Sequence, residues 1–198
     1  MLEYTSDIAF TPAVKKIQEA KGSRPNYARM EQGGGWRDVV TEDLVAFINE
    51  RDSLYMGTAS ADGQPYIQHR GGKAGFLKVL DDKTLAFADF RGNKQYISSG
   101  NLSENDKAYI FLMDYANRRR IKIWGRARVT DDADLMTRLA DDDYGGVPEQ
   151  ATIFDLSAWD INCPQHITPR FSEAQVMEAI NPLKQRIADL EKQLAERK

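Results

Sequence analysis

The sequence has little cysteine, no long apolar run and no large excess of one charge. Its 198 residues include one cysteine, Cys163, so the chain has no internal disulfide. No stretch approaches the roughly 18 consecutive apolar residues of a membrane span, and no transmembrane segment is expected. The first ten residues, MLEYTSDIAF, lack a basic stretch followed by an apolar run. A secretory signal is therefore not expected, and the predicted location is the cytoplasm.

The charge balance argues against broad electrostatic binding. Lysine and arginine number 27 against 30 acidic residues, which gives a net charge of -3. Nucleic acid and membrane surfaces are therefore not expected as partners, and a phosphate group must be bound by a local cluster. The basic stretch from Arg118 to Arg128, which includes Trp124, carries no known nucleic-acid-binding motif.

Turn signals and periodicity divide the chain into three predicted domains. Residues 1–40 contain a helix between Thr11 and Gly22 and a Gly-rich loop at Gly33–Gly35. Residues 41–170 open with a helix capped by Thr41 and continue as short β-type runs. Residues 171–198 form an amphipathic helix.

The β-type runs are short and closely spaced, with turn residues between them. This pattern favours an antiparallel barrel that is closed or nearly closed, because closure removes unpaired strand edges. A sandwich is the main rival. The predicted strands are Leu54–Ser60, Pro65–Arg70, Phe76–Leu80, Thr84–Ala88, Ala108–Met113, Arg120–Val129 and Thr152–Trp159; a turn and short helix are predicted within Gly92–Gly100, and another helix over Asp131–Leu139.

The C-terminal helix carries an apolar seam. Ser172 and Gln175 match a capping box at its start, and Pro182 is expected to kink it. Two alternatives stay open: the seam packs on the same subunit, or it packs against a second copy. The seam consists of Val176, Ile180, Leu183, Ile187, Leu190 and Leu194.

Three clusters combine basic residues with turns. His69-Arg70-Gly71-Gly72-Lys73 joins basic residues to glycines that permit close approach of another group. Asp89-Phe90-Arg91-Gly92-Asn93-Lys94-Gln95 runs from a strand into a turn and the predicted start of a helix, which suits an anion. Arg120 and Lys122 share one face of a strand, opposite Ile121 and Ile123. Surface Arg and Lys are usually only solvated, so each cluster alone is a weak signal.

In this order, the clusters resemble the flavin-binding core of pyridoxamine 5'-phosphate oxidase-like proteins. The resemblance covers about residues 41–130 and includes R-G-G at Arg70, G-N-K-Q at Gly92 and R-R-x-K-I-x-G-x-A ending at Ala127. The family's flavin-binding Arg falls on Gln68, its Lys on Lys73 and its Gln on Arg120. Arg70 lies two residues after Gln68, on the same strand face, and is expected to replace the missing cation.

The resemblance implies a mainly β fold with flanking helices: an FMN-binding split β-barrel followed by a long C-terminal helix. It also implies a homodimer with FMN at the subunit interface. The family's Arg-x-His segment for the vitamin B6 phosphate is absent from the tail, which implies a different small-molecule substrate. The residues expected to contact FMN are Gln68, Arg70, Gly71, Lys73, Ala88, Asp89, Asn93, Lys94, Gln95, Arg120, Lys122, Asn162, Gln165 and His166.

The segment Asn162-Cys163-Pro164-Gln165-His166 allows several interpretations. Cys163 and His166 could act as a nucleophile and its base, or they could provide two ligands of a metal site. Alternatively, the segment is a structural turn. Asn162, Gln165 and His166 also suit the polar edge of a flavin ring or a substrate above it. The acidic run Asp141-Asp142-Asp143 lacks the alternating ligands of a calcium loop and is expected to be a solvated helix end, so no metal is expected.

Two classes of function follow. The first is an FMN-dependent oxidoreductase acting on a small organic substrate, with a nicotinamide cofactor as a candidate electron donor. The alternative is a non-catalytic carrier or sensor that binds flavin, or haem through a histidine. No catalytic residue is assigned.

Overall fold

The computed structural model describes residues 3–141 and 143–196. Within them, contacts group the chain into two compact units. One covers residues 3–113 and 120–163, and the other covers 114–119 and 164–196. The predicted domain boundaries after residues 40 and 170 stay predictions.

The first unit is built on one antiparallel sheet of seven strands in the order β2-β1-β5-β6-β7-β4-β3. The sheet is not closed, since β2 and β3 stand at its two ends. The mainly β split-barrel fold itself is confirmed. The strands are β1 Ser53–Ala59, β2 Pro65–Gly71, β3 Lys78–Val79, β4 Thr84–Phe90, β5 Lys107–Asp114, β6 Arg119–Thr130 and β7 Pro148–Ile161.

Buried and outward-facing residues alternate along the strands, as expected for strands with one face in the core. In β5 and β6 every second residue is buried, so Ile110, Leu112, Ile121 and Ile123 enter the core while their neighbours face outward. β4 is buried on both faces: Leu85 and Phe87 join the main core, and Ala86 and Ala88 join a smaller cluster with Leu139 of the helix before β7. Its continuous apolar run follows from this double burial.

A bulge at Gly125 sets the register of the two longest strands. The pairing of β6 with β7 shifts between Trp124 and Gly125. A side chain at Gly125 would meet the Asp155 carbonyl and the Phe154 ring, so only glycine fits there. The bulge lets both strands bend without breaking the ladder.

The described residues form six α-helices. α1 begins at a proline after the Thr11 cap, and α3 begins after the Thr41 cap, both as predicted. α2 was not predicted, because its mean hydropathy is low and its apolar stripe is weak. β3 is shorter than the predicted Phe76–Leu80 strand, since Phe76 and Leu77 are buried in a turn that precedes it. The helices are α1 Pro12–Ala20, α2 Arg24–Gln32, α3 Glu42–Asn49, α4 Ile97–Glu104, α5 Ala133–Leu139 and α6 Glu173–Ala195, after a 3-10 turn at Thr5–Ile8.

The second unit contains α6 and the turn at residues 114–119. Ser172 and Gln175 form the predicted capping box at the start of α6. The predicted seam residues are exposed along the helix, and Pro182 lies inside it. Arg170 lies over the Tyr115 ring at 4.8 Å. Among the described residues, no helix is both long and apolar enough to cross a bilayer.

Candidate functional site

A polar pocket lies where β2, β4 and β7 meet the loop before α4. We call it the loop pocket, and its volume is about 40 Å³. Five of the predicted flavin residues, Gln68, Arg70, Asp89, Asn93 and Lys94, come together here. The pocket is lined by Gln68, Arg70, Asp89, Phe90, Gly92, Asn93, Lys94, Tyr96, Ser98, Ser99, Glu149 and Gln150.

The floor of the loop pocket is a connected polar network. The Arg70 guanidinium lies 3.2 Å from Asp89 Oδ2, and their side chains are 15% and 8% exposed. Gln150 Nε2 donates to the same Asp89 oxygen and to Ser99 Oγ, each at 2.9 Å. Arg70 Nε is buried and finds no hydrogen-bond acceptor within the described residues. Arg70 is therefore held by a carboxylate and retains an unused donor.

The rim of the loop pocket is a strained loop. Lys94 and Tyr96 have φ angles of 58° and 53°, in the left-handed region that non-glycine residues rarely occupy. The Asn93 side chain accepts a hydrogen bond from Gln95 N at 3.2 Å and fixes the turn between them. Lys94 is exposed and has no carboxylate partner in residues 3–141 or 143–196. It is the available cation of this pocket.

Tyr96 closes one side of the loop pocket. Its hydroxyl donates to Glu149 Oε1 at 2.9 Å, and this hydrogen bond raises the pKa of Tyr96 above its ordinary value. α4 begins only at Ile97, so the turn from Gly92 to Gln95 precedes the helix instead of forming its first turn.

Four predicted flavin residues of this region, Gly71, Lys73, Ala88 and Gln95, do not line the pocket. Lys73 pairs with Asp143, which lowers the pKa of that carboxyl group. Gly71 ends β2 opposite Ser53, and Ala88 is buried in the small cluster beside α5. Asp142 of the acidic run lies outside the described residues, whereas Asp141 pairs with Lys78 at 3.3 Å.

A second site lies at the other end of β6 and β7. We call it the aromatic cleft; its volume is about 460 Å³. Lys122 lies in it and pairs with Asp160 at 2.9 Å, and Asn162 lies beside them. The cleft is lined by Phe10, Tyr27, Met30, Gly35, Trp36, Arg37, Lys122, Trp159, Asp160, Ile161, Asn162 and Cys163.

Arg120 lies on the same face of β6 as Lys122. Its backbone carbonyl accepts a hydrogen bond from Asn162 N at 3.1 Å. Its Nε is buried and lacks a hydrogen-bond acceptor in the described chain. Burial raises the pKa of the neighbouring Tyr109, with Arg120 opposing this effect and Asp160 adding to it.

The two sites are far apart within one subunit. Gln150 of the loop pocket and Asp160 of the aromatic cleft are ten residues apart on β7. At no more than about 3.4 Å per residue, this stretch spans up to roughly 34 Å. The predicted flavin residues therefore form two groups, one at each end of β7.

Gln165 and His166 belong to the second unit, where both are exposed and His166 has a φ of 60°. Their predicted contact with flavin stays a prediction. No group of three or more metal-binding side chains occurs in the part of the chain that the structure describes.

Sequence reasoning missed the pocket residues that come from α4 and the start of β7. Gln150 precedes the predicted strand start at Thr152, and its role depends on the pairing of Asp89 with Gln150 across β4 and β7. Ser98 and Ser99 lie in the first turn of α4. No local motif marks any of them, because only the sheet order brings them to Arg70.

A comparison with protein family models shows which family the chain belongs to. The family model described as pyridoxamine 5'-phosphate oxidase matches residues 40–163, more than half of the chain. The chain belongs to the pyridoxamine 5'-phosphate oxidase-like family. The predicted resemblance is thereby confirmed. A comparison with curated protein sequences finds no match.

Solved structures share the fold at low sequence identity. HupZ from Group A Streptococcus is 19% identical with a TM-score of 0.52, covering 67% of this chain and 99% of HupZ. A variant of the same protein gives 20% identity and a TM-score of 0.51, covering 62% and 99%. An FMN-binding protein from Syntrophomonas wolfei subsp. wolfei is 14% identical with a TM-score of 0.48, covering 73% and 97%.

Proposed function

We propose that the protein binds FMN and acts as an oxidoreductase on a small organic substrate. The observation that carries the proposal is the loop pocket, which is lined both by Lys94, exposed on a strained turn, and by Arg70, a half-buried residue of β2 whose Nε donor is unused within the described residues. Strained backbone of this kind clusters at ligand sites. Family membership makes a flavin the cofactor that best suits it.

The loop pocket suits the phosphate end of FMN. Its volume of about 40 Å³ holds a group the size of a few water molecules, not a three-ring system. Lys94 supplies a charge, and Asn93 and Ser98 supply neutral polar groups around the same space. The pocket would therefore hold the phosphate and not the ring system of FMN.

A second subunit provides the other wall in this proposal. Arg120, Lys122 and Asn162 belong to the group at the other end of β7 from Lys94. A two-fold dimer brings the cleft end of one subunit to the loop pocket of the other. Exposed apolar side chains are available for such packing, including Ile67 of β2 at 69% exposure and Ile161 at the end of β7 at 50%.

The chemistry divides between cofactor and chain. Bound FMN supplies hydride or electron transfer. Lys94 and Arg70 would hold the phosphate of FMN, and Arg120 and Lys122 of the partner subunit would supply positive charge near the bound cofactor. A positive charge there favours an anionic substrate or an anionic reduced ring.

The absorption spectrum of the purified protein tests this function. Flavin bands at close to one FMN per chain, bleached anaerobically by a nicotinamide cofactor, are the expected result. A colourless protein that also takes up no added FMN contradicts the proposal.

The alternative is a carrier or sensor that binds flavin or haem without turnover. One observation favours the haem version: His69 is exposed on β2, edge-on to Tyr55 at 5.6 Å. A Soret band that His69→Ala abolishes supports haem binding. Flavin bands that no electron donor bleaches support a flavin carrier.

A further inference from the structure

The C-terminal helix α6 carries a continuous apolar stripe that faces solvent. None of its 23 residues is buried, and the apolar side chains of the stripe are 37% to 64% exposed. A stripe of this length is typical of a surface that binds another protein or a membrane. It consists of Val176, Ile180, Leu183, Ile187, Leu190 and Leu194, with Met177 beside it.

The stripe follows the heptad repeat of a coiled coil. Its residues are separated by steps of four and three in turn, so they occupy the a and d positions of successive heptads. In the two central heptads the a positions hold isoleucine and the d positions hold leucine, a combination that favours two parallel helices. The a residues are Ile180, Ile187 and Leu194, and the d residues are Val176, Leu183 and Leu190.

Two charged residues flank the stripe in positions that select a partner. Arg186 occupies g, and Glu191 occupies e of the next heptad. In parallel helices in register, a g residue of one helix lies beside the e residue of the next heptad on the other. Arg186 of each helix would therefore lie beside Glu191 of the other, which gives two pairs of opposite charge.

The polar residues on the opposite side of α6 have partners within the helix. Gln185 Nε2 donates to Asp189 Oδ1 at 3.0 Å, and Lys192 Nζ lies 4.0 Å from Glu196 Oε1. All four occupy positions c and f, away from the stripe. The two flanking charges form no ion pair within the part of the chain that the structure describes. They remain available to a second helix.

Pro182 lies inside α6 without interrupting the stripe. It falls at position c, and the Glu178 carbonyl that loses its backbone donor falls at f. Both positions face away from a and d, where water can satisfy that carbonyl. The proline is therefore compatible with close packing along the stripe.

The composition of α6 does not suit an anionic membrane surface. The helix contains four acidic and three basic residues and no aromatic residue. Helices that lie on bilayers are rich in lysine and arginine and carry aromatic or leucine anchors opposite them. A second α6 is the better match, because the stripe and its flanking charges are complementary to themselves.

We propose that α6 pairs with α6 of a second copy of this chain as a parallel, in-register coiled coil. The two stripes bury each other, and Arg186 of each subunit pairs with Glu191 of its partner. The proposal goes beyond the proposed function and does not rest on it, because no predicted flavin residue lies in α6.

Intersubunit disulfides test the pairing directly. Ile180→Cys is placed in the full chain together with Cys163→Ser, so that one cysteine remains. In the proposed pair the two cysteines face each other across an a layer, within reach of a disulfide. In a glutathione buffer, covalent dimer should form at least about tenfold more readily than in Ala188→Cys, whose position b faces outward. Equal crosslinking in both variants, or none, overturns the proposal.

A mixture of two single-cysteine chains tests the direction of the helices. Antiparallel helices with fully overlapping stripes would place residue 180 opposite residue 190. Ile180→Cys mixed with Leu190→Cys should give only the two homodimeric products, identified by mass spectrometry. A mixed product, with no product from Ile180→Cys alone, overturns the parallel arrangement.

Charge reversal tests the flanking pairs. Arg186→Glu and Glu191→Arg should each reduce crosslinking of the Ile180→Cys chain about fivefold, because each brings like charges together twice. The double variant should restore crosslinking, and Lys192→Glu, the same change of charge at position f, should leave it unchanged. A double variant that crosslinks no better than the single variants contradicts the pairing.

The FMN content of the same samples separates this proposal from the proposed function. Crosslinked protein that takes up no FMN leaves the coiled coil standing and contradicts only the flavin site. Protein that binds FMN without crosslinking overturns only the coiled coil. Uncrosslinked protein that sediments with vesicles of phosphatidylglycerol and phosphatidylcholine assigns the stripe to a membrane and also overturns the proposal.

Discussion

The two ends of β7 carry different kinds of site. The loop pocket is small and polar, and its cation lies on an exposed, strained turn. The aromatic cleft is about ten times larger, and two of the rings that line it, Trp36 and Trp159, are buried. Both are formed partly by segments outside the sheet, and the wall of the cleft is joined to β7 by a backbone hydrogen bond from Trp159 N to Arg37 O.

We therefore expect substitutions in the cleft to affect mainly the stability of the fold, and substitutions at the rim of the loop pocket to affect mainly ligand binding. Removing a cleft ring should cost folding free energy, because buried contacts are lost. Removing a group from the rim of the loop pocket should cost little folding free energy and act mainly on binding. Three changes test this contrast.

The largest effect is expected for Trp36→Ala. Trp36 is 9% exposed and contacts Trp124 and Phe10, so its truncation should lower the free energy of unfolding by about 3–5 kcal/mol. Urea denaturation followed by circular dichroism measures it. Tyr96→Ala, at a residue 48% exposed on the loop pocket, should cost no more than about 1 kcal/mol. Similar losses of unfolding free energy in both variants would contradict the proposed difference between the cleft and the loop pocket.

A smaller loss of unfolding free energy is expected for Asp89→Ala. The change leaves Arg70 largely buried without its carboxylate, and should cost about 2–3 kcal/mol because both side chains retain slight solvent access. Asp155→Ala breaks the Arg128 pair, whose side chains are 57% and 51% exposed, and should cost at most about 1 kcal/mol. A loss in Asp89→Ala as small as in this control would show that the pocket floor contributes little to folding.

The smallest effect, and one of opposite sign, is expected for Lys94→Gly. Glycine adopts the φ of 58° without strain, so the free energy of unfolding should rise by about 1 kcal/mol. FMN affinity should fall in the same variant, because the cation is lost. Lys73→Gly, at a residue without positive φ, should give no gain in stability. Any destabilisation by Lys94→Gly contradicts the assignment of strain.

The fold was predictable because its signals are local. Caps at Thr11, Thr41 and Ser172 and alternation in β6 need only neighbouring residues. The weakly amphipathic α2 and the short β3 lacked such signals. Closure of the barrel depends on strand pairing across the sheet, which periodicity does not encode.

The site was predictable only in part, for the same reason. Gln68, Arg70, Asp89, Asn93 and Lys94 lie in motifs along the sequence, and the sheet brings them together. The partner of Arg70 could not be foreseen, since its pairing with Asp89 joins two strands that are distant in sequence. The division of the predicted residues between two ends of β7 likewise follows from strand direction, not from any motif.

The central claim is that one FMN lies between the loop pocket of one subunit and the cleft end of its partner. Mixing two defective variants tests it most directly. Lys94→Ala and Lys122→Gln are each expected to bind FMN at least tenfold more weakly as homodimers. After subunit exchange, hybrid dimers contain one site with both defects and one with neither. FMN titration of the mixture should therefore recover a population of sites with the parent affinity. A titration equal to the sum of the two separate variants would contradict a shared site.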